Sequence, residues 1–260
     1  MPPLSRALLA LVAVTAAAPA ALAEPPEATA VADARPLSVR SREGDAAAGR
    51  GVLSTHAETV GAGRVRVDAT NLALIGVGWG VSEDLEAGVN VGLPVLGDTW
   101  FAGASVKGVI ARRRSLVVAL RAAVDYGAIG FESGLGDGSV GFAMASVGLA
   151  ADHYLDGAGV VSLHEGVVLS GVFPRGGGDV GLLARVEAGA TARVTSWLAL
   201  QLEAIVPIAL TAGDDDDAFA VVVNYGARLH WASLALDLGF VKPLGDDGGL
   251  AIGAPCVTLA

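Results

Sequence analysis

Cysteine is almost missing from this chain of 260 residues, since Cys256 is the only one. An intrachain disulfide and a cysteine-based zinc cluster are therefore excluded, and we expect the lone thiol to be a small packing residue. Aromatic residues are also scarce, at 5% of the chain. Helices are disfavoured by the 36 glycines, because each glycine costs a helix up to about 1 kcal/mol relative to alanine.

Long apolar runs are missing after residue 23. Arg121 interrupts the run at residues 116–124, and Glu203 and Pro207 interrupt the run at residues 197–212. A membrane-spanning helix needs about 20 mostly apolar residues. Helical membrane spans are therefore not expected, and a closed β-barrel is the remaining way to satisfy the backbone in lipid.

Positive charge is scarce as well. The 17 lysines and arginines face 27 aspartates and glutamates, which gives a net charge of −10. The basic run at residues 112–114 is too short to reverse this balance. We therefore expect no nucleic-acid partner.

Patterns that carry catalysis are missing too. The four histidines are His56, His153, His164 and His230. None of them has a metal-binding spacing such as HExxH, and Ser162 and His164, which share a predicted strand face, lack a nucleophile elbow. We therefore predict no cofactor and no enzymatic activity, with a lipid hydrolase based on Ser162 and His164 as a weaker alternative.

One acidic run could attract a cation, because clustered carboxylates suit hard metal ions. It lacks the glycine and glutamate spacing of a calcium loop. No metal site is therefore predicted. The weak candidates for one are Asp214, Asp215, Asp216 and Asp217.

The first 23 residues are typical of a secretory signal peptide. Arg6 supplies the positive charge, residues 7–18 form an apolar core, and Ala21-Leu22-Ala23 is a small-residue cleavage site. The mature protein is expected to leave the cytoplasm. Residues 24–56 are rich in proline, alanine and charge without a sustained period, which predicts a disordered periplasmic linker; contact with peptidoglycan or a partner is the alternative.

From about Gly61 onwards, apolar and polar residues alternate with the period of a β-strand. Leu85, Ala87 and Val89 fall on one face of such a strand, and Glu86 and Asn90 fall on the other. An arginine or lysine on a lipid face costs about 2 to 4 kcal/mol at mid-depth. Confinement of charge to one face therefore indicates a membrane barrel. A soluble barrel or sandwich with its apolar face inward is the alternative.

Short turns and longer glycine-, aspartate- and proline-rich loops separate these strands. The predicted turns are residues 82–84, 112–114, 156–159, 194–196 and 229–231, and the loops are residues 68–71, 94–98, 127–138, 174–179, 211–217 and 243–248. Outer-membrane barrels pair short periplasmic turns with longer outer loops. We predict an all-β domain at residues 57–260, a single antiparallel up-and-down transmembrane β-barrel of about 12 strands, with 10 as the fallback.

Ten charged side chains are predicted to line the barrel lumen. They are Glu86, Lys107, Arg121, Asp125, Asp152, Arg185, Glu187, Glu203, Arg228 and Asp237. Paired across the barrel, they would plug it with salt bridges. Spread around a wider ring, they would line a narrow aqueous passage.

The hairpin at residues 79–88 resembles a known class of proteins. Its sequence, Trp79-Gly-Val-Ser-Glu-Asp-Leu-Glu-Ala-Gly88, is similar to the aromatic-Gly-Val-Thr-Asp-Asn-Leu-x-x-Gly hairpin of small Gly/Ala-rich outer-membrane β-barrel proteins of Gram-negative bacteria. The closing Gly253-Ala-Pro-Cys-Val-Thr258 adds to the resemblance, which covers residues 57–260. Most members of this class have no assigned function.

This resemblance implies a place in the cell outer membrane. The lipid bilayer, lipopolysaccharide and the barrel-assembly machinery would be the partners. The last strand departs from the pattern, because Thr258-Leu259-Ala260 lacks the terminal aromatic residue that the assembly machinery recognises. We predict a passive narrow channel for small solutes or a structural envelope protein; a surface adhesion module with cation-binding acidic outer loops is the alternative.

Overall fold

The structure is a computed structural model. It describes residues 51–71, 73–92, 99–133, 136–155, 160–211, 221–244 and 254–260. The predicted signal peptide, residues 24–50 of the predicted linker, and the acidic run at residues 214–217 lie outside the described residues.

Twelve antiparallel strands form one closed sheet. They are β1 (Val65–Thr70), β2 (Leu74–Gly80), β3 (Leu85–Gly92), β4 (Trp100–Arg112), β5 (Leu116–Ser133), β6 (Gly136–Tyr154), β7 (Val161–Pro174), β8 (Gly181–Arg193), β9 (Leu198–Ala209), β10 (Val221–His230), β11 (Ala235–Leu244) and β12 (Ala254–Leu259). Each strand pairs with its chain neighbours, and β1 also pairs with β12. The prediction of an all-β up-and-down barrel with 12 strands is confirmed.

The two ends of the barrel differ in their connections. Residues 81–84, 113–115, 155–160, 194–197 and 231–234 join strands at one end, here called the turn end, and the other connections lie at the loop end. Because the strand number is even, β1 begins and β12 ends at the turn end. Within the described residues, no helix is long and apolar enough to cross a membrane.

The outer face of the barrel is apolar. Leu120, Val124 and Tyr126 of β5 are exposed on this face, whereas Val117 and Ala119, which point to the other face of the same strand, are buried. The other exposed outer residues include Val65, Val67, Val89, Val106, Val147, Leu163, Leu169, Leu200, Leu202 and Leu238. Alternation along each strand therefore puts the aliphatic residues outside and the polar residues inside, as the strand pattern predicted.

The loop predicted at residues 127–138 is wrong over most of its length, and the turn predicted at residues 229–231 begins only at Trp231, because β10 runs to His230. Residues 127–133 continue β5, and residues 136–138 already belong to β6. The glycine that suggested a loop start, Gly127, pairs with Phe142 inside the ladder. A Cβ atom at Gly127 would collide with the backbone oxygen of Trp100 and with Phe101. This glycine therefore permits close strand packing and does not mark a turn.

The barrel closes through a short seam between β1 and β12. Ala69 pairs with Leu259 and Thr70 with Thr258, and the two threonine hydroxyls lie 3.0 Å apart. Asn71 extends the seam, because its backbone N–H donates to the Val257 carbonyl at 2.7 Å. The Asn71 side-chain oxygen accepts from the Val257 N–H at 2.8 Å.

Candidate functional site: the charged barrel interior

Residues 51–60, here called the interior segment, lie inside the barrel. Ala57, Glu58 and Thr59 are essentially buried, with exposed fractions of 0 to 1%. The sequence analysis assigned residues 51–56 to a disordered linker. These six residues instead contact the barrel wall, so the boundary predicted at residue 57 falls within a continuous packed segment.

Backbone amides of the interior segment bind carboxylates of the barrel wall. The donors are the N–H groups of Val52, Leu53, Ser54, Thr55, Ala57, Glu58 and Val60. Glu203 of β9 accepts from the first three at 3.1 to 3.4 Å, Glu187 of β8 from Thr55 at 2.5 Å, and Asp152 of β6 from Ala57 and Glu58 at 2.9 and 3.1 Å. Glu86 of β3 accepts from Val60 at 3.0 Å.

These contacts satisfy buried polar groups on both the interior segment and the barrel wall. The interior segment has no strand partner, so its buried N–H groups need other acceptors. The wall carboxylates are buried, so they need donors to offset their desolvation. Charge-assisted hydrogen bonds between the two satisfy both requirements.

Cationic side chains hold the turn-end half of the interior segment. The Lys107 ammonium of β4 donates to the backbone carbonyls of His56 and Glu58. The Glu58 carboxylate accepts from the Arg112 guanidinium at 2.9 and 3.1 Å and from the Tyr154 hydroxyl at 3.1 Å. The interior segment is therefore bound through its backbone and through its one acidic side chain.

A cavity of about 300 Å³ lies beside the interior segment, against the inner faces of β1 to β5 and β8. Its charged lining is Arg66, Asp68, Glu86, Lys107, Arg121 and Arg185. Glu86 joins two of these cations, at 3.3 Å from Arg66 and 3.4 Å from Lys107. The cavity is thus a polar space that the interior segment bounds on one side.

The predicted lumen residues also make polar contacts within the barrel wall. Arg185 pairs with Glu187 at 2.6 Å, and Asp125 accepts a hydrogen bond from Asn90 at 3.4 Å. Arg228 and Asp237 form a buried two-bond pair at 2.6 and 3.1 Å. The barrel therefore gathers Glu86, Asp152, Glu187 and Glu203 around the interior segment, whereas Arg228 and Asp237 bind each other.

A second grouping includes two histidines. His56 of the interior segment stacks on His164 of β7 with ring centroids 4.1 Å apart, and His164 Nε2 lies 3.8 Å from Glu203 Oε1. On its other side, His56 Nδ1 faces Asp152 Oδ1 at 3.4 Å. Burial lowers the pKa of His56 well below its usual value, and the charge of Arg228 acts in the same direction.

Sequence reasoning missed the partners that come from the interior segment. One signal was available: the ten predicted lumen residues include six carboxylates and only four cations, so some acidic groups needed uncharged donors. The identity of those donors was not accessible. Backbone amides carry no side-chain pattern, and the segment that supplies them has no strand period.

Comparison with known proteins gives a limited result. No protein-family model matches the sequence, and no curated protein does. Among solved structures, the fold is similar to "Outer-membrane expressed OmpT of Vibrio cholerae", with 12% identity, a TM-score of 0.42, and coverage of 72% of this chain and 62% of that chain. It is also similar to "CdiB from Acinetobacter baumannii", with 8% identity, a TM-score of 0.42, and coverage of 72% and 48% respectively. The chain therefore spans less than two thirds of either protein.

Proposed function

We propose that this protein is an integral outer-membrane barrel that its own interior segment keeps closed, and that it serves as a structural envelope protein at rest. The placement in a membrane is supported by the inverted faces of the sheet. A soluble barrel buries its apolar side chains, whereas here the aliphatic side chains face out and the charges face in. The predicted signal peptide supports the same address.

The observation that carries the closed state is the set of hydrogen bonds between the interior segment and the wall. Seven backbone amides of the segment donate to four buried carboxylates. Each bond to a charged acceptor contributes about 1.5 to 3 kcal/mol. Together they hold the segment across the lumen, so we expect an open passage to be rare.

Conductance in planar bilayers tests this proposal. The purified wild-type barrel should give no steady conductance. The double variant Glu187→Ala/Glu203→Ala removes the acceptors of four segment amides and should give frequent openings. Asp125→Ala is the matched control, because this inward carboxylate accepts from Asn90 and not from the segment. Steady conductance by the wild type would reject the closed state in favour of a diffusion channel.

The address is tested separately, by cell fractionation and by gel migration. Folded outer-membrane barrels stay compact in SDS until they are boiled, so the mature chain should migrate differently with and without boiling and should enrich in outer-membrane fractions. Identical migration together with helical circular dichroism would contradict the barrel itself.

A narrow channel for small solutes is the second candidate, and the cavity favours it. This charged space of about 300 Å³ has the volume of a small ligand site and would lie on the solute path if the interior segment withdrew.

The adhesion hypothesis depends on Asp214 to Asp217, which lie outside the described residues. The expectation that the chain is not an enzyme stays a prediction.

A further inference from the structure

Three potential metal ligands meet where the interior segment contacts the wall. They are His56 on the segment, His164 on β7 and Glu203 on β9. One ligand atom from each lies within 4.8 Å of the other two. The three side chains come from parts of the chain far apart in sequence, so no local motif signals them.

His164 is the most informative of the three. It is 3% exposed, and among the described residues neither of its ring nitrogens has a hydrogen-bond partner. Buried polar atoms in native proteins almost always have a partner. A buried imidazole whose two nitrogens have no hydrogen-bond partner among the described residues, facing a carboxylate oxygen at 3.8 Å, therefore has the chemistry of a metal ligand.

The other two ligands are held in position by their surroundings. Glu203 is 1% exposed and is oriented by the amides of the interior segment, by the Ser54 hydroxyl at 2.5 Å and by Asn224 at 2.9 Å. Asp152 faces His56 Nδ1 at 3.4 Å. Carboxylates in this position fix the tautomer of metal-binding histidines and leave the other nitrogen for the metal.

We propose that His56, His164 and Glu203 bind a divalent first-row transition metal ion, with zinc the best fit, between the interior segment and the barrel wall. Two imidazoles and one carboxylate are a common zinc ligand set, with bonds of about 2.0 to 2.2 Å and a fourth position for water. Ligand atoms of such a tetrahedral ion lie about 3.4 Å apart. The pair His164 and Glu203 is already close to this spacing at 3.8 Å, and since all three atoms lie within 4.8 Å of one another, no pair needs to approach by more than about 1.4 Å. Calcium and magnesium fit less well because they take oxygen ligands.

The site would have a structural consequence. His56 belongs to the interior segment, whereas His164 and Glu203 belong to the wall. A bound ion would therefore fasten the segment inside the barrel. The metal site does not depend on whether the barrel conducts, so the two proposals can fail separately.

Metal uptake by the whole protein tests the site. The purified barrel is stripped with a chelator in detergent and then titrated with zinc chloride, and bound zinc is counted by elemental analysis. We expect one zinc per chain. Cobalt chloride on the same stripped protein should give the visible absorption of tetrahedral Co²⁺. An absence of stoichiometric zinc and of the tetrahedral cobalt spectrum would overturn the proposal without any variant.

Variants then assign the ligands. His56→Ala and His164→Ala should each weaken zinc binding at least tenfold, whereas His153→Ala should bind as the wild type does. His153 is the matched control, because it pairs with Glu165 at 3.1 Å and is not one of the three ligands. Folding of each variant is checked by migration with and without boiling. If His164→Ala fails to fold, His56→Ala decides, since it lies outside the wall strands. Wild-type affinity in both variants, or a loss in His153→Ala instead, would assign the zinc to another place and overturn the proposal.

Discussion

Single residues on the inner wall alternate between large polar side chains and glycine. His164 lies over Gly189 on the next strand, and a Cβ atom at Gly189 would collide with the imidazole ring. Asp125 lies over Gly103 in the same way. At these two positions glycine therefore has a packing cause: the long polar side chain needs an empty neighbour to lie flat against the wall.

The pair of variants Gly189→Ala and Gly108→Ala tests this explanation. At Gly189 the added methyl would also collide with the Leu202 backbone oxygen, whereas at Gly108 the nearest atom would be at an ordinary 3.9 Å. Overpacking of this kind costs about 1 to 3 kcal/mol. We expect Gly189→Ala to lower the temperature at which the compact form is lost on gels and Gly108→Ala to leave it unchanged. Equal effects would show that glycine is not needed at position 189 for space.

Among the elements, the seam between β1 and β12 is the shortest pairing of the barrel, with two residue pairs. Asn71 extends it with two hydrogen bonds to Val257. Asn71 has a φ of +49°, a left-handed conformation that asparagine and glycine tolerate better than other residues. Barrel closure therefore depends in part on one turn residue.

Substitution of Asn71 separates its two contributions. Asn71→Gly loses the side-chain hydrogen bond but keeps easy access to positive φ, whereas Asn71→Ala loses both. We expect both variants to unfold at a lower urea concentration than the wild type. The unfolding free energy of Asn71→Ala should be about 1 kcal/mol below that of Asn71→Gly. The reverse order would mean that the left-handed backbone at residue 71 adds no strain.

At the scale of the whole molecule, the barrel has an apolar exterior and a charged interior. Residues 51–60 of the same chain lie in that interior. The exterior suits lipid, since closed strands leave no unpaired backbone edge. The interior suits neither lipid nor an empty space, because its carboxylates need donors. The interior segment meets that need for Glu86, Asp152, Glu187 and Glu203.

Arginine substitutions on the outer face test the lipid environment. Val124 is 59% exposed on β5, and Val194 is 56% exposed in a connection at the turn end. In a bilayer, Val124→Arg should cost about 2 to 4 kcal/mol and Val194→Arg about 0 to 1 kcal/mol. We expect this difference in refolding titrations with lipid vesicles. Equal costs would indicate that both positions face water.

Much of the architecture could be predicted because it follows from local sequence patterns, namely the alternation of apolar and polar residues and the composition of the turns. Alternation along residues 85–90 identified a strand and its two faces, and the succession of short turns and longer loops led to the prediction of 12 strands. The glycines near residue 127 misled the prediction, since a glycine chosen for close packing and one chosen for a turn look alike in sequence.

The candidate site was only half accessible from the sequence. The inward charges Glu187 and Glu203 followed from strand period, but their donors are backbone amides of residues 52–55, which no residue type reveals. The meeting of His56, His164 and Glu203 was likewise hidden, because it depends on where a non-periodic segment enters the barrel.

The sequence by itself determined which residues face out and which face in, and with them the closed 12-stranded barrel, because the two-residue strand period is a property of local backbone geometry. Tertiary structure alone decided that residues 51–60 occupy the lumen and which carboxylates bind them. That choice depends on burial and on hydrogen bonds between distant parts of the chain, and neither is recorded in any local pattern.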